Sequence, residues 1–181
     1  MDEEIFFNEQ EEELESETQD LPPWKIVIAD DEEGVHNITK MVLRDYAYEG
    51  RKLHFLSTYS GQETRELLRE HKDVALLLLD VVMETETAGL ETVRFIREEL
   101  KNDTIKIVLR TGQPGQAPEP EIIIKYEIND YKSKVELTTQ KLFTTITSSL
   151  RAYKLSHSLD ILNKDLQLEL QESSNLFDFY F

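Results

Sequence analysis

Four hydrophobic stretches of this chain each run out into residues with reactive chemistry. "KIVIA" ends at Asp30, Asp31 and Glu32, "VALLLL" at Asp80, "KIVLR" at Thr111, and "INDYKS" leads to Lys134. Carboxylates brought together repel, and two unit charges about 4 Å apart interact by about 4 kcal/mol at an effective dielectric near 20. Such a cluster calls for a cation, a proton or both. Oxygen ligands without His or Cys favour a hard ion, and a site that keeps positions open for phosphate oxygens favours Mg²⁺. A carboxylate such as Asp80, set beside a metal, a lysine and a hydroxyl, can attack phosphorus and form an aspartyl phosphate. Taken singly, each residue has an ordinary reading, Asp30 as a helix cap and Thr111 as the start of a turn. Their arrival at the ends of successive strands is what points to a site.

The elements that must deliver these residues alternate. Strands are expected at "KIVIAD", "KLHFLSTY", "VALLLLD", "TIKIVLR" and "INDY". Helices are expected at "GVHNITKMVLRDY", "GQETRELLREHK", "LETVRFIREEL" and "EIIIKYE", with a long one from about Val135. In the first helix Val35, Ile38, Val42 and Tyr46 form the apolar face, with Thr39 and Lys40 toward water. Ser60 is placed to cap the second, and Leu90, Val93, Ile96 and Leu100 stripe the third. Alternation of this kind implies right-handed crossovers and a parallel sheet covered on both faces. "IVI" and "LLLL" fit strands buried on both sides. In such a sheet, ligands bind beyond the carboxyl ends of the strands. No Gly-rich phosphate loop follows any strand, which disfavours nucleotide binding.

Composition narrows the classes further. The 181 residues carry a net charge of −17, and the acidic balance argues against nucleic acid or an anionic membrane as partner. Cysteine is absent, and no apolar run approaches the roughly 20 residues of a membrane span. A cytoplasmic location is expected. Residues 1–20 hold ten acids and no base, so they supply −10 of the charge and leave −7 for the rest. They read as a solvated leader, residues 1–22, closed by "LPPW"; the alternative is a docking peptide built on Ile5, Phe6 and Phe7.

With "VIADDEE", "LLLDVVM", "VLRTG" and "INDYKSK" in view, the chain from about Trp24 to Leu150 resembles the receiver domain of two-component response regulators. The resemblance implies a flavodoxin-like, doubly wound α/β fold: a five-stranded parallel sheet of order 2-1-3-4-5 with an extended C-terminal helix. It makes Asp80 the phospho-acceptor and Lys134 the partner of the phosphoryl group. Mg²⁺ would be held by Asp30, Asp31, Asp80 and the carbonyl of Val82. Thr111 would be the switch hydroxyl and Tyr131 the aromatic that moves with it. The phosphoryl donor would be a sensor histidine kinase, a phosphotransfer protein or a small phosphodonor. Three departures concern the loops: Val135 follows the lysine where proline is usual, "VVMETETAG" is one residue longer than the common pattern, and "TGQPGQAPEPE" is rich in proline.

"VVMETETAGLETVRFIREEL", "RTGQPGQAPE" and "YEINDYKSKVELTTQKLFTT" are more narrowly similar to receivers that precede HD-GYP output domains, metal-dependent phosphohydrolases of cyclic di-GMP. The sequence has no His-Asp pair and no Gly-Tyr-Pro, so that activity is not expected in it. The ending "NLFDFYF" suggests a longer regulator, a naturally short receiver being the alternative.

The expected organisation is a leader to residue 22, a receiver over 23–150 and a helical linker over 151–181. Along the last helix, Leu142, Ile146, Leu150 and Tyr153 are spaced to pack on the sheet. Leu155, Leu159, Leu162, Leu166 and Leu170 form a second stripe about 200° away at 100° per residue. That second stripe suits either a downstream output domain or a homodimeric coiled coil. Two other functions compete with the phosphorylated switch. One is a pseudo-receiver scaffold acting through dimerisation and partner binding. The other is a haloacid-dehalogenase-type hydrolase, which wants an aspartate where Val82 stands.

Overall fold

Uninterrupted apolar strands are stable only where helices cover both faces of their sheet, and that is how the chain resolves them. The computed structural model describes residues 21–112, 120–134 and 139–180. Thus Ile5, Phe6, Phe7, most of the Pro-rich loop and Val135 lie outside the described residues. The elements are β1 (Trp24–Ala29), α1 (Glu33–Val42), β2 (Ala47–Tyr48), β3 (Arg51–Thr58), α2 (Gly61–Glu70) and β4 (Val74–Asp80). There follow α3 (Ala88–Arg94, extended by a π-helical turn over Phe95–Glu99), β5 (Lys106–Thr111), α4 (Pro120–Lys125), β6 (Asp130–Ser133) and α5 (Thr139–Tyr180).

The sheet has six strands in the order β2-β3-β1-β4-β5-β6. Five are parallel, in the expected order; the sixth, β2, is an antiparallel two-residue addition on the edge. It arises from a tight hairpin in which Glu49 and Gly50 both take positive φ, 51° and 73°. That backbone twist joins neighbouring antiparallel strands, and glycine adopts it without a Cβ penalty. Two residues are too few to show a strand period, so only the turn marks it.

β4 is buried along its whole length, and Leu76–Leu79 touch almost no water. Each fully buried leucine contributes about 1.5–3 kcal/mol relative to exposure. One face packs under α2, α3 and α4, with Leu77, Leu79, Val93, Ile96 and Leu109 at its centre. The other packs under α1 and α5, with Ile28, Leu78, Val108, Ile146 and Leu150. Leu142, Ile146, Leu150 and Tyr153 are all buried, while Leu155, Leu159, Leu162, Leu166 and Leu170 are exposed. The two expected stripes of α5 are thus one covered and one bare. Among the described residues no helix is long and apolar enough to cross a membrane.

The face of α1 departs from expectation. Ile38 is 61 % exposed, whereas His36 and Thr39 are buried. The polar side chains can be inside because each has partners. Thr39 Oγ1 donates to the carbonyl of Val35 at 2.7 Å, and His36 is bonded through both ring nitrogens. Ser60 caps α2 as expected, its Oγ accepting from the Glu63 N–H at 3.1 Å.

Gly89, at the start of α3, lies against the end of β4. A Cβ there would fall 2.7 Å from Cα of Val81 and against the Asp80 carbonyl. Backbone cannot move aside as a side-chain tip can, so Gly89→Ala should lower unfolding stability by about 1–3 kcal/mol in urea titration. An unchanged midpoint would mean that α3 can shift away from β4 at no cost.

Candidate functional site

Each strand end adds one part. Asp30 follows β1 and its N–H donates to the carbonyl of Thr58 at the end of β3 (3.1 Å). Its own carbonyl meets Nε2 of His36 at 2.8 Å, while Nδ1 lies 3.0 Å from Ser57 Oγ. A carbonyl only accepts, so Nε2 carries a hydrogen, and Nδ1 shares a hydrogen bond with the Ser57 hydroxyl. His36 therefore fixes the backbone from which Asp30 projects.

Asp30 and Asp80 are 1 % and 3 % exposed. Lys134, just past β6, ties them together. Its Nζ lies 2.7 Å from Asp80 Oδ2, 3.2 Å from Asp30 Oδ1 and 2.7 Å from Glu32 Oε1. Thr111 is fully buried at the end of β5, and its Cα pairs with that of Ser133. Val82 is half-buried and directs its N–H at Asp80 Oδ1, 3.4 Å away. Tyr131 packs against the core under α4, its hydroxyl buried and without a hydrogen-bond partner among the described residues.

The carboxylates that come within 4.8 Å of one another are Asp30, Asp31 and Glu32. Asp80 meets this group through Lys134. The Oδ2 atom of Asp30 is buried and has no partner among the described residues, although Oδ1 accepts from the Glu32 N–H and from Lys134. A buried carboxylate oxygen without a donor is costly. A hard divalent cation is the ligand that such an oxygen, with Asp31 beside it, fits.

The electrostatics agree with this division of roles. Burial pushes the Asp80 carboxyl above the ordinary aspartate range; the bonds from Lys134 oppose the shift, and Asp30 adds to it. Burial works against the Lys134 ammonium, but its bonds to Asp80 and Glu32 outweigh that and hold it charged. The Lys134 bond likewise lowers Glu32. Burial lowers the Arg110 guanidinium below its ordinary value, and the charges of Asp30, Asp80 and Glu32 oppose that shift.

Sequence patterns placed Glu32 at the first strand end without a role, and did not single out His36, Glu84 or Arg110. Glu84, in the long loop after β4, accepts from the N–H groups of Gly61 (2.8 Å) and Gln62 (3.2 Å) at the start of α2. Burial resists its ionisation, and the backbone bonds prevail to hold its carboxyl low. The longer loop thus has an anchor of its own. An acid facing a helix start is the signal that could have found it.

The description "response regulator receiver domain" matches residues 26–147. The chain belongs to the response regulator receiver family. It is 54% identical over 132 residues to 3'3'-cGAMP-specific phosphodiesterase 2 of Vibrio cholerae serotype O1, covering 73% of this chain and 25% of that protein. The chain therefore spans about a quarter of the length of that relative. A chemotaxis protein CheY homolog of Campylobacter jejuni is 30% identical over 107 residues, 59% of this chain and 78% of its own. The signal receiver domain of an HD domain-containing protein from Pseudomonas fluorescens Pf-5 superposes with a TM-score of 0.59 at 19% identity, over 75% of this chain and 93% of that one. That likeness shows the fold.

A carboxyl whose pKa is raised in the folded state favours stability at low pH and costs stability as pH climbs through the folded value. Asp80→Asn should therefore melt above the wild type at neutral pH without added metal. A difference on the order of 1 kcal/mol would move the midpoint by about 2–4 °C. Calorimetry across pH 4–8 checks both the sign and its disappearance in acid; a lower-melting variant would overturn this electrostatic account.

Proposed function

We propose that this receiver is a phosphorylatable switch, and that Asp80 accepts the phosphoryl group. The observation that carries the reading is one ammonium, Lys134, bonded at once to Asp80, Asp30 and Glu32 at the carboxyl edge of the sheet. A carboxylate oxygen of Asp80 forms the new O–P bond as the P–N bond of a kinase phosphohistidine, or the P–O bond of a small phosphodonor, breaks. Its rigid strand holds that oxygen in place for attack, and the chain supplies positioning and charge rather than covalent assistance.

Lys134 can exchange a carboxylate oxygen for a phosphoryl oxygen without leaving the crevice. Asp30 and Asp31, with Asp80 and the Val82 carbonyl completing the set, would hold Mg²⁺. Bound there, Mg²⁺ would neutralise charge on the transferred group. Thr111 then serves as the hydroxyl that registers the phosphoryl group, and Tyr131 as the aromatic that follows it. Together they bias a two-state surface formed by α4 and β6.

The output we infer is a cyclic-dinucleotide phosphodiesterase of the HD-GYP type, reached through residues 151–181 as the linker. The Vibrio cholerae relative, named for hydrolysis of 3'3'-cGAMP, supports that inference. In this reading the receiver spans residues 23–150 in the cytoplasm, behind the acidic leader. The bare stripe of Leu155, Leu159, Leu162 and Leu166 joins two copies of α5.

Incubation with acetyl phosphate and Mg²⁺ should add one phosphoryl mass to the intact protein, and Asp80→Asn should prevent it. An unmodified wild type would defeat the switch reading. Sedimentation should show a dimer that the double variant Leu159→Asp, Leu162→Asp converts to monomer. A wild type that stays monomeric at high concentration would remove dimerisation from the proposal.

A further inference from the structure

Arg110 is a buried cation that neither the sheet nor the core requires. It is 6 % exposed, in strand β5 immediately before Thr111, and its Cα pairs with that of Asp80. Ile28, Leu78 and Val108 all face α1 and α5. Side chains two residues further along a strand share a face, so Asp30, Asp80 and Arg110 project to the same side.

Its bonding is incomplete. Nη1 reaches Thr39 Oγ1 at a long 3.4 Å, and Nε is buried with no partner among the described residues. Thr39 is itself bonded to the carbonyl of Val35, so its hydroxyl hydrogen is committed and its oxygen is a neutral acceptor. A buried guanidinium is normally matched by a carboxylate or phosphate in its fork. Here it instead lines a cavity of about 180 Å³ between α1, β5 and α5. The walls are Val35, Ile38, Val42, Leu142 and two threonines; the charged lining residues are Arg110 and Lys134. Among the described residues, the charged groups bounding this space are two cations, and one of them already holds Asp80.

We propose that this cavity is an anion pocket for the phosphoryl group on Asp80, with Arg110 as a second cationic ligand to its oxygens beside Lys134. The inference rests on the phospho-acceptor reading of Asp80. Before phosphorylation, Arg110 and Lys134 oppose the nearby carboxylates. The transferred group adds negative charge and acceptor oxygens next to a fork whose Nε has no partner among the described residues. Because the pocket walls include Thr139 and Leu142, filling it bears directly on the base of α5.

The test is calorimetric titration of the full chain, first with Mg²⁺ alone and then with beryllofluoride, a phosphoryl mimic, at saturating Mg²⁺. Arg110→Met removes a positive charge near the metal ligands, so Mg²⁺ should bind as tightly as in the wild type or up to about fivefold more tightly. Beryllofluoride should bind about 10–100-fold more weakly, the range for losing a hydrogen bond to a charged group. Arg110→Lys keeps the charge and loses the fork, and should recover part of that affinity. Should Arg110→Met not give a cooperative melt, Arg110→Lys carries the test alone, with about 3–10-fold weaker beryllofluoride binding at unchanged Mg²⁺ affinity.

A merely structural role would weaken both titrations together, and that result overturns the proposal. So does beryllofluoride binding that is equal in wild type and variants. Failure of the wild type itself to bind beryllofluoride would instead bring down the phospho-acceptor reading on which the inference stands.

Discussion

Three carboxylates at the carboxyl edge of the sheet share a single ammonium, and the surrounding structure can be understood from that ratio. Asp30 and Asp80 are both nearly inaccessible to water, on neighbouring strands, where repulsion is weakly screened. Lys134 arrives from a third strand end and bonds both of them. Its reach depends on β6 pairing with β5 and β5 with β4, so strand order becomes a condition of charge balance. One ammonium leaves the three carboxylates with a charge deficit, and Asp30 Oδ2 has no partner among the described residues. Burial, chiefly, raises the Asp80 carboxyl, and the charge of Asp30 adds to it.

This deficit separates stability from function. A sheet edge optimised for stability would carry fewer acids, and the apolar run of β4 would end in something neutral. Instead Leu76–Leu79 hold Asp80 in place with their burial while its charge is disfavoured. Sites that bind or transfer anions and metals commonly hold groups in such unfavourable protonation environments. The core supplies the free energy that lets the edge remain frustrated.

Much of this was legible in the sequence because it rests on runs and termini. "VALLLLD" gave β4 residue for residue, and the four strand ends gave Asp30, Asp31, Asp80, Thr111 and Lys134. The stripe from Leu142 to Tyr153 was readable because an amphipathic helix on a sheet obeys simple spacing. What escaped depends on pairing between distant residues. His36 and Thr39 look like solvent-facing polar residues until their acceptors, the Asp30 and Val35 carbonyls, are in place. Ile38 follows from the same rotation of α1. Glu84 acquires meaning only through the N–H groups of α2, and Arg110 reads as an ordinary strand-end cation until its burial beside Asp80 is seen. The short β2 strand lacks the length to show a period.

The last helix deserves a mechanical reading. Tyr153 lies edge-on to Trp24 with ring centroids 6.1 Å apart, Lys154 pairs with Glu49 at 2.7 Å, and Lys106 donates to Ser156 at 2.7 Å. These contacts form a fulcrum at the opposite end of the sheet from Asp80. Beyond it, the 18 residues from Tyr153 to Leu170 extend about 26 Å at 1.5 Å per residue as one unbroken helix. Such an arm multiplies angle into distance. A tilt of about 5° at the fulcrum displaces Leu170 by roughly 2 Å, comparable to the helix shifts by which packed interfaces change register.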